Sequence, residues 1–364
     1  MDTVEILLVA GGLVVLVGGG ELLVRGASGL TARLGLSPLV IGLTVVAFAT
    51  SAPEFAVTLD AALRGEPDLA VGNVVGSNMV NVLLILGASA VMLPLTVGAR
   101  LVRLDLPILV GVSGLLLALA ADGAVTAGDG ALLLAVIVGY TALALVLGRR
   151  QAGAGPSGTA AGQGARRPLW AQFAAVVGGV GLLVFGARML VEGAVGIATG
   201  FGVSSLVIGL TVVAVGTSLP ELATTLIAAR RGERDLAVGN IVGSCVFNIC
   251  VVLGLAGVIA ADGVPVAPAA VALDIPLMIA SAVALLPIAF TGLAIARWEG
   301  ALFLALYVAY TAYVLLAATE HDALEGFTTV MLWFTLPLVA LTLVVLASFE
   351  AGRRRGGGHP IVPR

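Results

Sequence analysis

The sequence predicts an all-α polytopic membrane protein: two inverted five-helix repeats followed by an eleventh, C-terminal helix. Three observations carry this reading: the composition, the length of the apolar runs, and a long internal self-similarity. Of 364 residues, 60 % are hydrophobic and 11 % charged, and the mean hydropathy is +1.15. Soluble domains carry roughly 25 % charged residues, so a soluble chain is excluded.

A helix needs about 20 apolar residues to cross a bilayer. Runs bounded by Arg, Asp or Gly/Pro clusters divide the chain into eleven such segments, near 4–25, 37–63, 68–92, 104–121, 127–148, 169–191, 203–229, 235–260, 271–292, 298–318 and 327–348. Membrane β-strands would alternate with a dyad period over about ten residues, and these Leu/Val/Ala runs do not. The leader Met1-Asp2-Thr3-Val4-Glu5 is acidic and its apolar stretch is too long for a cleaved signal peptide, so the first segment is expected to stay as a membrane helix. Cys245 and Cys250 match neither a zinc motif nor a disulfide framework and read as small core residues. The net charge of −3 offers no basic stripe for a nucleic acid. Every basic side chain except the two histidines is arginine, which points to a GC-rich bacterial source and hence to a bacterial cytoplasmic (inner) membrane.

Arginine falls into alternate connections: Arg33; Arg100 and Arg103; Arg149, Arg150, Arg166 and Arg167; Arg230, Arg231 and Arg234; Arg297; Arg353 to Arg355. The intervening loops hold Asp122, Asp129, Asp262, Glu320, Asp322 and Glu325, with Arg64 as the exception. The positive-inside rule then places the N-terminus outside and the C-terminus in the cytoplasm, which an odd number of spans satisfies. Residues 149–168, rich in Gly and Ala, read as a flexible linker. It separates a first half (1–148) from a second (169–318), with an extra helix and basic tail at 319–364.

Residues 35–87 align without a gap on residues 202–254, at a constant offset of 167, with 35 of 53 positions identical. Each copy covers the second and third helices of its half. An odd number of spans, five, separates the copies, so they cross the membrane in opposite senses. Inverted repeats of this kind place substrate and coupling-ion sites near the bilayer midplane, where interrupted helices meet.

Each copy contains one carboxylate at membrane depth, in Thr50-Ser51-Ala52-Pro53-Glu54 and in Thr217-Ser218-Leu219-Pro220-Glu221. Such a charge costs roughly 2.5 to 3.5 kcal/mol on the insertion scale, and neither helix offers a mid-membrane arginine to offset it. Proline removes a backbone donor, so carbonyls near Ala47, Thr50, Ala214 and Thr217 are expected to be freed. Helical spacing places Ala47, Thr50 and Glu54 on one face, and Ser77 and Asn81 on one face of the next helix. Ala214, Thr217, Glu221, Ser244 and Asn248 repeat the pattern, and Ser51 and Ser218 lie inside the same motifs. All of these supply oxygen, as Ca²⁺ prefers, whereas transition metals favour imidazole or thiolate. His321 and His359 lie outside the apolar segments. Two ionised carboxylates balance one Ca²⁺ or partly balance several Na⁺, and a site that holds one set or the other performs exchange.

These paired TSxPE and GNxxGS segments in inverted copies resemble the α-repeats of the cation/calcium exchanger superfamily, especially its sodium/calcium exchanger branch. The resemblance covers about residues 4 to 318. It implies a Ca²⁺ position at Glu54, Glu221 and the Thr50 and Thr217 carbonyls. It also implies flanking Na⁺ positions, one at Ala47, Thr50, Ser77 and Glu221 and its mirror at Ala214, Thr217, Ser244 and Glu54, with Asn81 and Asn248 lining the centre. It further implies exchange of several Na⁺ for one Ca²⁺, with net charge moved, and a first and sixth helix, loosely packed and Gly-rich, that slide past the rest. No cofactor is expected; the partners are the bilayer and the transported ions. Three departures stand out: Asn248 where potassium-dependent relatives carry Asp, which predicts no K⁺ cotransport; Cys245 opposite Asn78; and the extra helix.

The Gly72-Asn73, Gly76-Ser77, Gly239-Asn240 and Gly243-Ser244 clusters are expected both to interrupt the third and eighth helices and to pack them closely. Glu21 and Arg25 read as a neutralising pair, as do Arg188 and Glu192. Asp105 and Asp274 read as carboxylates at helix N-termini. Na⁺/Ca²⁺ antiport leads among functions. Ca²⁺/H⁺ antiport with titrating glutamates is the runner-up, disfavoured because proton-coupled relatives usually carry GNxxE in place of TSxPE. A cation channel is a third reading. No hydrolytic constellation lies at membrane depth, so an enzyme is not expected.

Overall fold

The computed structural model describes residues 3–152, 168–202, 205–208, 211–212 and 214–355. Nine helices among them are long and apolar enough to cross a membrane: α1 (Thr3–Leu34), α3 (Pro67–Met92), α4 (Leu101–Ala120), α5 (Ala127–Gly148), α6 (Leu169–Gly200), α8 (Arg234–Ile259), α9 (Ala270–Phe290), α10 (Arg297–Ala318) and α11 (Ala323–Gly352). The span α2 is bent by 49° between two limbs, Pro38–Thr50 and Ala52–Arg64. Its counterpart α7 is described in pieces, Ser205–Ile208, Ala214–Gly216 and Leu219–Arg230. Most of the expected linker, 153–167, and the end of the basic tail, 356–364, lie outside the described residues.

The segment boundaries hold, with extensions. Apolar runs mark only the lipid-crossing part of a helix, so α1 and α6 each continue to 32 residues. The central helices are α3 and α8, with 78 % and 83 % of their most apolar stretch buried, against 28 % for α1 and α6 and 6 % for α10 and α11. The last two expose aliphatic and aromatic side chains along their length, Trp333, Phe334 and Phe349 among them, as helices facing acyl chains do.

The inversion is visible in two short sheets that hydropathy does not anticipate. Leu95–Thr96 pairs antiparallel with Ala294–Ile295, and Ala124–Val125 with Val264–Pro265. The first sheet joins the α3–α4 and α9–α10 connections, and the second joins α4–α5 to α8–α9. The equivalent connections α3–α4 and α8–α9 therefore lie in different sheets, at opposite ends of α4. That helix has 20 residues, about 30 Å at 1.5 Å per residue. Each sheet ties one half to the other.

The glycines of α1 and α6 bring these two antiparallel helices against one another. A Cβ added at Gly12 would lie 2.8 Å from the Gly186 carbonyl oxygen, at Gly19 2.9 Å from that of Gly179, and at Gly26 2.9 Å from that of Gln172. Gly179, Gly186 and Gly193 answer with similar approaches to Gly19, Gly12 and Glu5. On both helices the spacing is seven residues, the period of a left-handed supercoiled seam. A valine at Gly19 is expected to cost about 1–3 kcal/mol through overpacking. Gly18→Val, where an added Cβ meets nothing within 4 Å, is expected to leave thermal melting in detergent unchanged.

Three sequence expectations are corrected. The Gly72–Ser77 and Gly239–Ser244 clusters do not interrupt α3 and α8, which stay α-helical through them; the small residues serve close packing, and the winding changes later, to π-turns over Val80–Leu86 and Asn248–Leu253. Asp105 and Asp274 are not at helix starts, because α4 and α9 begin with π-turns that end at these residues. Asp105 is fully buried, accepts the Tyr140 hydroxyl at 3.1 Å and pairs with Arg100 at 3.7 Å. Finally, Glu21 does more than neutralise Arg25 at 2.8 Å, since it also pairs with Arg231 and so ties α1 to the end of α7.

Candidate cation site

Both glutamates open a helix. Pro53 and Pro220 have no N–H to give to the preceding turn, and the chain departs from helical geometry at Ser51 (φ −78°, ψ 10°) and Ser218 (φ −90°, ψ 8°). The second limbs start there, with Glu54 and Glu221 in their first turns, where the helix dipole favours an anion. The expected single face of Ala47, Thr50 and Glu54 is thus corrected: the break separates the first two from the third. The Ala47 carbonyl is also not fully freed, because it accepts the Ser51 N–H at 3.0 Å and lies 3.5 Å from the Thr50 hydroxyl.

The breaks interlock the halves. Ser218 Oγ donates to Glu54 Oε1 at 3.0 Å, and Ser51 Oγ donates to Glu221 Oε1 at 3.2 Å. Each carboxylate is therefore held by a serine from the opposite repeat, which brings Glu54, Glu221, Ser51 and Ser218 together at one buried locus. Both glutamates are completely shielded from solvent. Among the described residues, none of the ion pairs includes either.

Around them the polar side chains form a network of neutral oxygens and amides. The Thr50 hydroxyl donates to Asn240 Oδ1 at 3.2 Å and lies 3.5 Å from Ser244 Oγ. Asn248 Nδ2 donates to Ser77 Oγ at 3.1 Å. Among the described residues, four of the buried oxygens without a hydrogen-bond partner belong to the two glutamates and the two central asparagines: Glu54 Oε2, Glu221 Oε2, Asn81 Oδ1 and Asn248 Oδ1. Buried polar groups left unpaired are rare and call for a physical cause; four acceptors in one pocket are what a bare cation satisfies. The described residues hold no cluster of three or more His, Cys, Asp or Glu, so the pocket's chemistry is that of two carboxylates amid neutral oxygens.

Of the sequence-predicted residues, Thr50, Ser77, Ser244, Asn81 and Asn248 are buried with the glutamates. Thr217 is half-buried at the α7 break, and Ala214 is described only in its backbone. Asp60 points away, paired with Arg64 at 2.9 Å on the exposed side. Sequence reasoning missed a supporting layer. Asn73 Nδ2 donates to Thr58 Oγ1 at 2.9 Å and to the Glu54 carbonyl at 3.1 Å, and Asn240 Nδ2 donates to Thr225 Oγ1 at 3.3 Å. Its signal was present, since both Asn and both Thr are identical across the offset. Cys245 and Cys250 are buried free thiols, as expected of core residues, but Cys245 also bonds Asn78 across the repeats.

An inverted-repeat membrane fold with a buried, oxygen-lined locus between its halves defines the class of secondary cation carriers. The sequence profile of the sodium/calcium exchanger protein family matches residues 4–146 and 171–316, one match in each half. The chain belongs to that family, and is a multi-pass membrane antiporter. It is 43 % identical over 277 residues to the putative antiporter CaxA of Alkalimonas amylolytica, covering 76 % of this chain and 86 % of that one. It is 32 % identical over 345 residues to the sodium/calcium exchanger MaX1 of Methanosarcina acetivorans, covering 85 % and 98 %. The solved sodium-calcium exchanger NCX_Mj, soaked with 10 mM Na⁺ and 10 mM Sr²⁺, matches with a TM-score of 0.73 and 28 % identity over 86 % of this chain and 99 % of that one.

Proposed function

We propose that this antiporter exchanges Na⁺ for Ca²⁺ at the pocket between Glu54 and Glu221. The observation that carries the reading is the crossed Ser51–Glu221 and Ser218–Glu54 pairing, with an unpartnered oxygen left on each carboxylate. Ca²⁺ takes both carboxylates and the Thr50 and Thr217 carbonyls. Na⁺ takes the flanking places, at Ala47, Thr50, Ser77 and Glu221 on one side and at Ala214, Thr217, Ser244 and Glu54 on the other, with Asn81 and Asn248 at the centre. The two sets share the glutamates and so displace one another.

The protein lies in the bacterial inner membrane with its N-terminus outside, a reading supported by the arginine distribution. In that orientation α3 enters from the outer side and α8 from the inner. Gly72 on α3 is exposed and Asn73 and Gly76 are half-buried, while their equivalents Gly239, Asn240 and Gly243 on α8 are all buried. This unevenness supports a conformation reached from outside and closed within.

Ca²⁺ uptake into everted vesicles tests the coupling. An outwardly directed Na⁺ gradient is expected to drive uptake, and a proton gradient alone is not. Uptake that follows pH and ignores Na⁺ would replace this reading with Ca²⁺/H⁺ antiport. On purified protein, Na⁺ is expected to displace bound Ca²⁺ competitively.

A further inference from the structure

The inverted repeat gives every hydrogen bond in the pocket an equivalent, found by adding or subtracting 167, and most come in pairs: Ser51 and Ser218 each hold the other half's glutamate, and Asn73 and Asn240 each hold a threonine. Asn78 and its equivalent Cys245 also bond each other reciprocally across the repeats. Asn78 Nδ2 donates to the Cys245 carbonyl at 3.2 Å, and Cys245 Sγ lies 3.9 Å from the Asn78 carbonyl.

The symmetry fails at several bonds, among them those of Thr50 to Asn240 and Ser244 and of Asn73 to the Glu54 carbonyl, and most sharply at the two central amides. Asn248 Nδ2 donates to both Ser77 Oγ, at 3.1 Å, and Asn78 Oδ1, at 3.3 Å. Both amide hydrogens are committed, so the group has one orientation and Oδ1 is left without a partner. The equivalent amide, Asn81, would need Ser244 and an acceptor at position 245. Ser244 Oγ is engaged with Thr50 at 3.5 Å, and position 245 is a thiol, a weak acceptor on a shorter side chain. Asn81 is fully buried and neither Nδ2 nor Oδ1 reaches hydrogen-bond geometry with any group; the partner it faces is the weak Cys245 thiol.

Resting on the exchange reading above, we propose that Asn78 is a positioning residue that fixes the Asn248 amide with its oxygen free for the ion. Cys245, which offers a weak thiol where Asn78 offers an amide oxygen, leaves Asn81 less firmly fixed. The pocket then has one pre-set and one adaptable amide ligand. The pre-set oxygen costs nothing to organise when a divalent ion arrives. Asn81 presents its oxygen to a cation, or its N–H₂ to a carboxylate oxygen when the cation has gone. Asn78 touches no ion itself; it acts through Asn248.

The test is Ca²⁺ binding to purified full-length protein, with Asn81→Ala and Asn248→Ala placed in three backgrounds. In the parent, Asn248→Ala is expected to weaken binding about tenfold more than Asn81→Ala, the value of one organised hydrogen-bonded ligand. In the mirror exchange Asn78→Cys/Cys245→Asn, the order of the two penalties is expected to reverse. In Cys245→Asn alone, which keeps Asn78 and so does not depend on the exchange folding, the Asn81→Ala penalty is expected to rise to that of Asn248→Ala. A merely structural role for Asn78 and Cys245 would lower affinity without reordering the two alanine variants. An unchanged order in Cys245→Asn and in the mirror exchange overturns the proposal while leaving Na⁺/Ca²⁺ exchange standing. Parent protein that binds no Ca²⁺ overturns both.

Discussion

Glu54→Gln is expected to abolish Ca²⁺ transport in a protein that still inserts and melts normally, and Glu221→Gln to do the same. Glutamine keeps the volume, and its carbonyl can accept the Ser218 bond that Glu54 Oε1 accepts at 3.0 Å, so the helix break has no reason to rearrange. What changes is charge. A carboxylate and a divalent ion ~4 Å apart attract by roughly 8 kcal/mol at an effective dielectric constant of ~20, and if dehydration of the ion takes about half, the net loss is on the order of 10²- to 10³-fold in affinity. The substituted amide also turns an N–H₂ toward the place an ion needs an acceptor. Calcium uptake into vesicles, read beside thermal melting, measures both consequences. Uptake by either variant at the parent rate would remove the site from these glutamates.

A single methyl group at Gly243 is expected to cost activity by displacement alone. A Cβ there would lie 2.6 Å from the Leu43 carbonyl oxygen, 2.7 Å from Leu43 Cα and 2.8 Å from Ala47 Cβ. Two of these are backbone atoms of the first limb of α2, which cannot swing aside as a long side chain would. Alanine at 243 must push α8 off α2, and the next residue, Ser244, carries the hydroxyl 3.5 Å from Thr50. Transport is expected to fall at least about tenfold, with overpacking of about 1–3 kcal/mol in thermal melting. Gly139→Ala, on a face where an added Cβ meets nothing within 4 Å, is expected to transport like the parent.

The two glutamates and their repeat were legible because a gapless offset of 167 survives any uncertainty in helix boundaries, and because a carboxylate in an apolar run advertises its own cost. Span positions followed from hydropathy, which marks nine long apolar helices and one bent pair among the described residues. Hydropathy reports burial and says nothing of winding, so the π-turns beginning at Val80 and Asn248 were invisible. Proline spacing showed that α2 and α7 are disturbed near residues 53 and 220, but not that the break makes a new helix start at Glu54 and Glu221. Partner identity was least accessible of all. Nothing local to Ser51 names Glu221, 170 residues away, and nothing local to Asp105 names Tyr140. Only the fold brings them together.

The seam of seven-spaced glycines in α1 and α6 joins one helix from each half into a single beam as long as the bilayer is thick. With backbone resting on backbone at the glycines and Leu16, Val176 and Gln172 side chains seated against them, a push on one helix is delivered to its mate. A beam of that kind is expected to move as one piece, so that a shift toward one aqueous phase is a shift away from the other. A continuous water path would discharge the very gradient that drives the carrier, and two helices coupled in this way are expected to close one side as the other opens.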